Sequence, residues 1–318
     1  MKKITLLITT LVILLISSTN ATAEEETTNI VCTNSALADF TSNIITENVT
    51  ISYIMPGGSC PAHFDISPSQ VSEIIEADII ISLGWEPWLT NISDKLVDIN
   101  QQQIKCTGFG EWNLPQNAIK FVEKIRDELI ILLPEQNDSI FDNAQNYINE
   151  INQTEGYIKK MIKSMNYENR QVIAMEWQME FIEMLGFDVV TFYGPPEGLS
   201  TQDKLNITDI AISNEIVAIV DNLQSGTDFG GQIAEDAKTS HVVFTNFPGA
   251  IDNVDTYLEM IEYNTAEIIK GVTNYDYIKE NPNLFDSSNV ELQRNTAIVA
   301  ALICIIIAVI LFLMYKRK

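Results

Sequence analysis

From Asn29 onward, short apolar runs alternate with amphipathic stretches. The spacing predicts strands at Asn29–Thr33, Val49–Met55, Asp78–Leu83 and Gln103–Thr107, with helices at Ser35–Glu47, Ser67–Ala77 and Trp88–Ile99. After Pro115 the rhythm breaks, and two helical stretches, Gln116–Leu133 and Asp138–Met165, follow one another with no strand between. In the second, Phe141, Ala144, Ile148, Ile151, Ile158, Ile162 and Met165 recur in steps of three, four or seven, one face of a long helix. Strands then resume at Gln171–Met175, Asp188–Phe192, Ile216–Asp221 and His241–Thr245, with helices at Trp177–Leu185, Ser200–Asn214, Phe229–Thr239 and Val254–Val272. Strand–helix alternation implies parallel sheets with helices on both faces. The fold class expected is therefore α/β: two parallel-sheet lobes, 29–136 and 168–275, joined by a single long helix, 138–165, plus a C-terminal transmembrane helix.

Residues 1–23 read as a secretory signal, with Lys2 and Lys3, an apolar run and Ala21-Thr22-Ala23 as the cleavage site. Residues 276–294 are polar and rich in Asn and Asp, a tether. Residues 295–315 form an apolar run close to the ~20 residues a spanning helix needs, and Lys316-Arg317-Lys318 follows it. The positive-inside rule then places the C-terminus in the cytoplasm and the ectodomain outside a cell membrane crossed once. A protein tail used as anchor, where bacteria mostly use a lipid, points to an archaeal source. The formal net charge of −24 excludes nucleic acid and anionic lipid surfaces as partners.

In open parallel sheets, ligands bind beyond the carboxyl ends of the strands, so the loops there carry the candidate chemistry. The second strand leads into Met55–Ser69, where Gly57 and Gly58 allow a sharp turn, Pro56 and Pro61 stiffen it, and Cys60, His63 and Asp65 follow. Ser67-Pro68 reads as a helix cap with proline at the first helical position. The fourth strand leads to Glu111-Trp112-Asn113, the fifth to Glu176-Trp177-Gln178, the seventh to Asn222 and Gln224, and the eighth to Asn246. A cleft between two lobes would let these loops converge. Each group also has an ordinary role: a hydrogen-bonded loop histidine, asparagines that end strands, tryptophans that pack lobes together. His241 begins a strand on the opposite edge and reads as structural. No nucleophile elbow, H-E-x-x-H or phosphate loop occurs, so no enzyme is expected.

At these residues the chain resembles the zinc- and manganese-type solute-binding proteins of metal ABC transporters. The resemblance rests on IMPGGSCPAHFDISPSQVSEIIEADIIISLGWEPWL (Ile54–Leu89), on FGEWNLPQNAIKFVEKI (Phe109–Ile125) and on PEQNDSIFDNAQNYINEINQTEGYIKKMI (Pro134–Ile162). It implies two lobes on a rigid backbone helix, a metal in the interlobe cleft and an ABC permease as partner. The family's first ligand falls on His63 and its second, usually histidine, on Glu111. The third falls on Met175 or Glu176, of which Glu176 is the sensible donor, and the fourth, usually aspartate, on Asn246. One imidazole, two carboxylates and an amide make a hard site, suited to Mn²⁺ or Fe²⁺, whereas a thiolate from Cys60 or Cys106 would soften it toward zinc. A Cys60–Cys106 disulfide would remove both sulfurs, and pairing among Cys32, Cys60 and Cys106 stays open. Trp112, Asn113, Trp177, Gln178, Asn222, Gln224 and Asn246 also form an amide-and-indole set that would suit a metal chelate or small organic ligand. A surface adhesin that kept the fold is the remaining alternative.

Overall fold

The computed structural model describes residues 27–45, 47–93, 101–108 and 111–281. The first lobe holds strands β1 (Thr28–Asn34), β2 (Val49–Met55), β3 (Ile79–Ser82) and β4 (Gln102–Lys105). Between them lie helices α1 (Ser35–Ile44), α2 (Pro68–Ile75) and α3 (Pro87–Ser93), and α4 (Pro115–Leu132) follows. Helix α5 (Asn137–Ser164) crosses to the second lobe, built from β5 (Gln171–Met175), β6 (Asp188–Tyr193), β7 (Ile216–Asn222) and β8 (Ser240–Phe244). Its helices are α6 (Met179–Leu185), α7 (Thr201–Ser213), α8 (Asp228–Asp236) and α9 (Tyr257–Glu280).

Both sheets are parallel and share one order, β2-β1-β3-β4 and β6-β5-β7-β8. In each, the chain leaves the first strand to one side and returns on the other, so a crevice opens beyond β1/β3 and beyond β5/β7. Alternate strand residues serve different layers, as a period of two requires. Ile30 and Cys32 face the interior that both lobes share, while Val31 packs outward with Ile54, Ile80 and Trp88. In the second lobe Val172 and Ala174 face inward, and Ile173 and Met175 pack outward with Ile219 and Ile233.

The shared interior is continuous through α5. Ile140, Ala144, Tyr147, Ile148, Ile151, Ile158 and Ile162 are buried along it, and they belong to one cluster with Phe40 of the first lobe and Phe244 of the second. At 28 residues the helix spans about 42 Å, so one rigid element carries both lobes. Phe141 and Met165, assigned to that face from their spacing, are instead exposed. Ile140 and Tyr147 take the buried positions, and the Phe141 ring lies under the Arg126 guanidinium, 5.6 Å away.

The polar stretch from 276 does not begin as a tether, because α9 continues to Glu280. Asp276 accepts from Arg170 at 2.6 Å and Lys279 pairs with Glu215, which fastens the last turns to the lobe. The signal of residues 1–23 and the apolar run of 295–315 lie outside the described residues. Among the described residues no helix is long and apolar enough to cross a membrane.

Asp39 of α1 joins three elements: its carboxylate accepts from the Tyr147 hydroxyl of α5 at 2.7 Å and from the Tyr257 N–H that opens α9 at 3.2 Å. Burial raises its pKa from 3.8 to about 6, and the hydrogen bond from Tyr147 only partly offsets that. A raised acid binds its proton more tightly when folded, so its contribution is full below 3.8 and is lost as pH rises through about 6. Asp39→Asn keeps both hydrogen bonds without the charge. We expect it to stabilise the protein by up to about 3 kcal/mol at pH 7.5 and to make little difference at pH 3.5, read by thermal melts at both pH values. Gly156 lies in α5 with open space where a Cβ would stand, so Gly156→Ala is expected to stabilise by up to ~1 kcal/mol, measured by denaturant titration.

Candidate functional site

The loop after β2 is built as its residues require. Ser59 N–H donates to Pro56 C=O at 3.0 Å and His63 N–H to Cys60 C=O at 3.1 Å, two tight turns in succession. Ser67 and Gln70 then form a reciprocal cap on α2, with Pro68 in its first turn. Gly57 lies close against the other lobe: a Cβ there would stand 2.5 Å from the Pro248 carbonyl oxygen. Ser35, just past the end of β1, donates to that same carbonyl at 2.7 Å. The cleft is therefore closed at its base by backbone contact.

Above that contact lies a cavity of about 180 Å³. Cys60, His63, Trp85 and Trp112 line it from the first lobe, and Trp177, Glu197, Asn222, Gln224 and Asn246 from the second. Trp112 is buried and Trp177 half-buried, while His63 is exposed at the rim. Leu83 and Trp85, just beyond β3, went unmarked among the loop candidates although they follow a strand at its carboxyl end like the others. They stand at the first lobe's crevice, and the Trp85 indole is fixed by donating to Gly108 C=O at 2.6 Å.

The floor is a network of amides whose orientations are set by backbone groups. Asn113 Nδ2 donates to Trp177 C=O at 3.2 Å and to Asn246 Oδ1 at 2.8 Å. A carbonyl only accepts, so the Asn113 amine must face it, and Asn246 must turn its oxygen inward. Gln178 Nε2 donates to the same oxygen at 2.6 Å. Gln224 Oε1 accepts from the Asn246 N–H at 3.1 Å and from Asn222 Nδ2 at 3.2 Å, while Gln224 Nε2 donates to Gly57 C=O at 2.7 Å. Asn222 Oδ1 accepts from the Ser225 N–H at 3.1 Å. The oxygens of Asn222, Gln224 and Asn246 are thus all engaged, and what the floor offers the cavity is the Asn246 amine and one Asn222 N–H.

Glu111 and Glu176 do not line this cavity. They border a neighbouring space of about 190 Å³ with Asn113 and Glu180, and Trp177 stands between the two compartments. Met175 is wholly buried in the second lobe's core, so of that pair only Glu176 reaches a cavity. The Glu111 carboxylate lies against Gly108 and that of Glu176 against Gly194, so the four expected ligands are not drawn together. Among the described residues no three His, Cys, Asp or Glu side chains gather as metal donors. The buried oxygens Asn113 Oδ1 and Gln178 Oε1 have no donor. A Cys60–Cys106 bridge is not formed, and Cys32, Cys60 and Cys106 are all free thiols. Cys106 is buried in the core beside a third space of about 330 Å³, on the far side of Glu111. Burial pushes its thiol up to about 12, so it is a neutral thiol at pH 7 rather than a thiolate ligand.

Comparison with known proteins agrees with this architecture. Residues 30–271 match the family model of ZnuA, the periplasmic component A of zinc-uptake complexes. The manganese-binding lipoprotein MntA of Halalkalibacterium halodurans is 25% identical over 274 residues, 77% of this chain and 88% of the relative. The manganese ABC transporter substrate-binding lipoprotein PsaA of Streptococcus pneumoniae is 21% identical over 86% of this chain and 99% of the relative. The Mn-bound periplasmic metal-binding protein of Candidatus Liberibacter asiaticus superposes with a TM-score of 0.66 at 19% identity, over 77% of this chain and 99% of that one. These comparisons correct the localisation expected above. The curated relatives are lipoproteins from bacteria, in which acyl chains rather than a spanning helix supply membrane affinity. The single-pass C-terminal anchor, its cytoplasmic terminus and the archaeal source are withdrawn. Because the family match runs through both lobes and the helix that joins them, the chain belongs to the ZnuA family of zinc-uptake complex A components.

Proposed function

We propose that this protein is the solute-binding component of an ABC importer and carries a divalent transition metal, of the zinc, manganese or iron class, in its interlobe cleft. One observation carries the reading: a family match across 30–271 on a fold whose two lobes together line one cavity. The metal is cargo, and the chain is a binding component rather than an enzyme. His63 brings an imidazole and Glu197 a carboxylate to the cavity, and Glu111 and Glu176 supply carboxylates in the next compartment. With α5 and the Gly57–Pro248 contact holding the lobes, release belongs to the encounter with the permease, which would loosen the loops rather than swing the lobes apart.

Stoichiometric transition metal is expected by elemental analysis of the protein isolated from its own host without chelators. His63→Ala should weaken retention at least tenfold, because neutral imidazole is the strongest donor there for such ions. Absence of transition metal in the isolated protein, together with no loading on exposure to manganese, zinc or iron salts or their complexes, would contradict the reading.

A further inference from the structure

The floor of the cleft does not suit a bare cation, and Cys60, His63 and Glu197 at its walls do not gather as a three-donor group. Asn246 stands where the family resemblance places the last ligand, yet its oxygen is occupied by Asn113 and Gln178, and its amine has no acceptor. An amide N–H carries partial positive charge and cannot coordinate a metal. The other free polar hydrogen at the floor, on Asn222, is also a donor. Three indoles, of Trp85, Trp112 and Trp177, wall the cavity. Its volume of about 180 Å³ equals that of roughly six waters, far more than a single ion fills. Donors at the base and rings at the sides describe a site for an organic group with oxygen acceptors and an extended face.

Resting on the metal-uptake reading, we propose that the cargo enters as a small carboxylate chelate of the metal, not as the free ion. The chelator's carboxylate oxygens accept from Asn246 and Asn222, and its carbon frame packs on the indoles. His63 at the rim supplies an imidazole donor, completing a coordination shell that the chelator has mostly filled. Such a division of labour needs one imidazole, which is what this cavity has.

The test is a set of affinities for the full-length protein, by equilibrium dialysis, for Mn²⁺, Zn²⁺ and Fe²⁺ alone, for citrate and nitrilotriacetate alone, and for the six one-to-one complexes. At least one complex should bind tenfold or more tightly than both its ion and its chelator. Asn246→Asp keeps the oxygen that Asn113 and Gln178 use and turns a second oxygen to the cavity. It should raise bare-ion affinity at least tenfold and lower that of the preferred complex by a similar factor. Tighter binding of bare ions than of every complex would overturn the proposal while leaving metal uptake intact, and its loss in Glu111→Gln and Glu176→Gln would place the ion in the neighbouring compartment. Equal binding of chelator with and without metal, or binding of ions with none of the complexes, would overturn it as well. Binding of no metal in any form would instead defeat the metal-uptake reading itself. The wild-type affinities decide these outcomes even if the Asp variant fails to fold.

Discussion

Asn246 is the residue on which the two lobes agree. Its side-chain oxygen takes one amine from Asn113 of the first lobe and one from Gln178 of the second, and its backbone carbonyl accepts the Trp112 indole at 2.7 Å. All of this is buried, where a hydrogen bond left unmade costs about 1–3 kcal/mol. Opening the cleft would therefore break several such bonds at once, together with the tilted ring contact of Trp112 with Phe247, whose centroids lie 5.4 Å apart. The same contacts orient the amides, so the force that keeps the lobes together also decides which atoms a ligand meets.

The helix between the lobes makes that closure durable. Because α5 buries residues along its whole length in one cluster with both sheets, the lobes cannot swing without tearing a common core. Asp39 adds a polar tie from α1 to α5 and α9. A protein so held is suited to capture by a site already formed, with modest loop movement, rather than by domain closure around the ligand.

Much of this was readable in the chain, for definite reasons. Val49–Met55 matches the expected strand end for end because Asn48 and Pro56 bracket its apolar run, and Gln171–Met175 does so because its apolar run stops at Glu176. The spine helix was legible through its apolar spacing, although Phe141 shows how a step of three can choose the wrong neighbour when Ile140, a step of four from Ala144, stands beside it. The loop candidates His63, Trp112, Trp177, Asn222, Gln224 and Asn246 do meet at one cavity, since the carboxyl edge of a parallel sheet is a property of topology. Glu111 and Glu176 could not be placed from spacing: a carboxylate at a loop can turn to either side of the next ring, and here Trp177 separates both from His63. Nor could the polarity of Asn246 be read, because Trp177 C=O and Gly57 C=O, which fix the amide network, are brought to it only by folding. The tether expectation failed at its start because Arg170 and Glu215, far back in the chain, hold the end of α9.

The orientation of that one amide is open to direct observation. Neutron diffraction from deuterated crystals of the protein distinguishes amide nitrogen from oxygen and locates the deuterons. The expected result is Asn246 Oδ1 accepting deuterons from Asn113 and Gln178, with the Asn246 amine directed into the cavity. Deuterons running from Asn246 toward Asn113 and Gln178, with its oxygen facing the cavity, would contradict the donor floor and restore a cation ligand at that position.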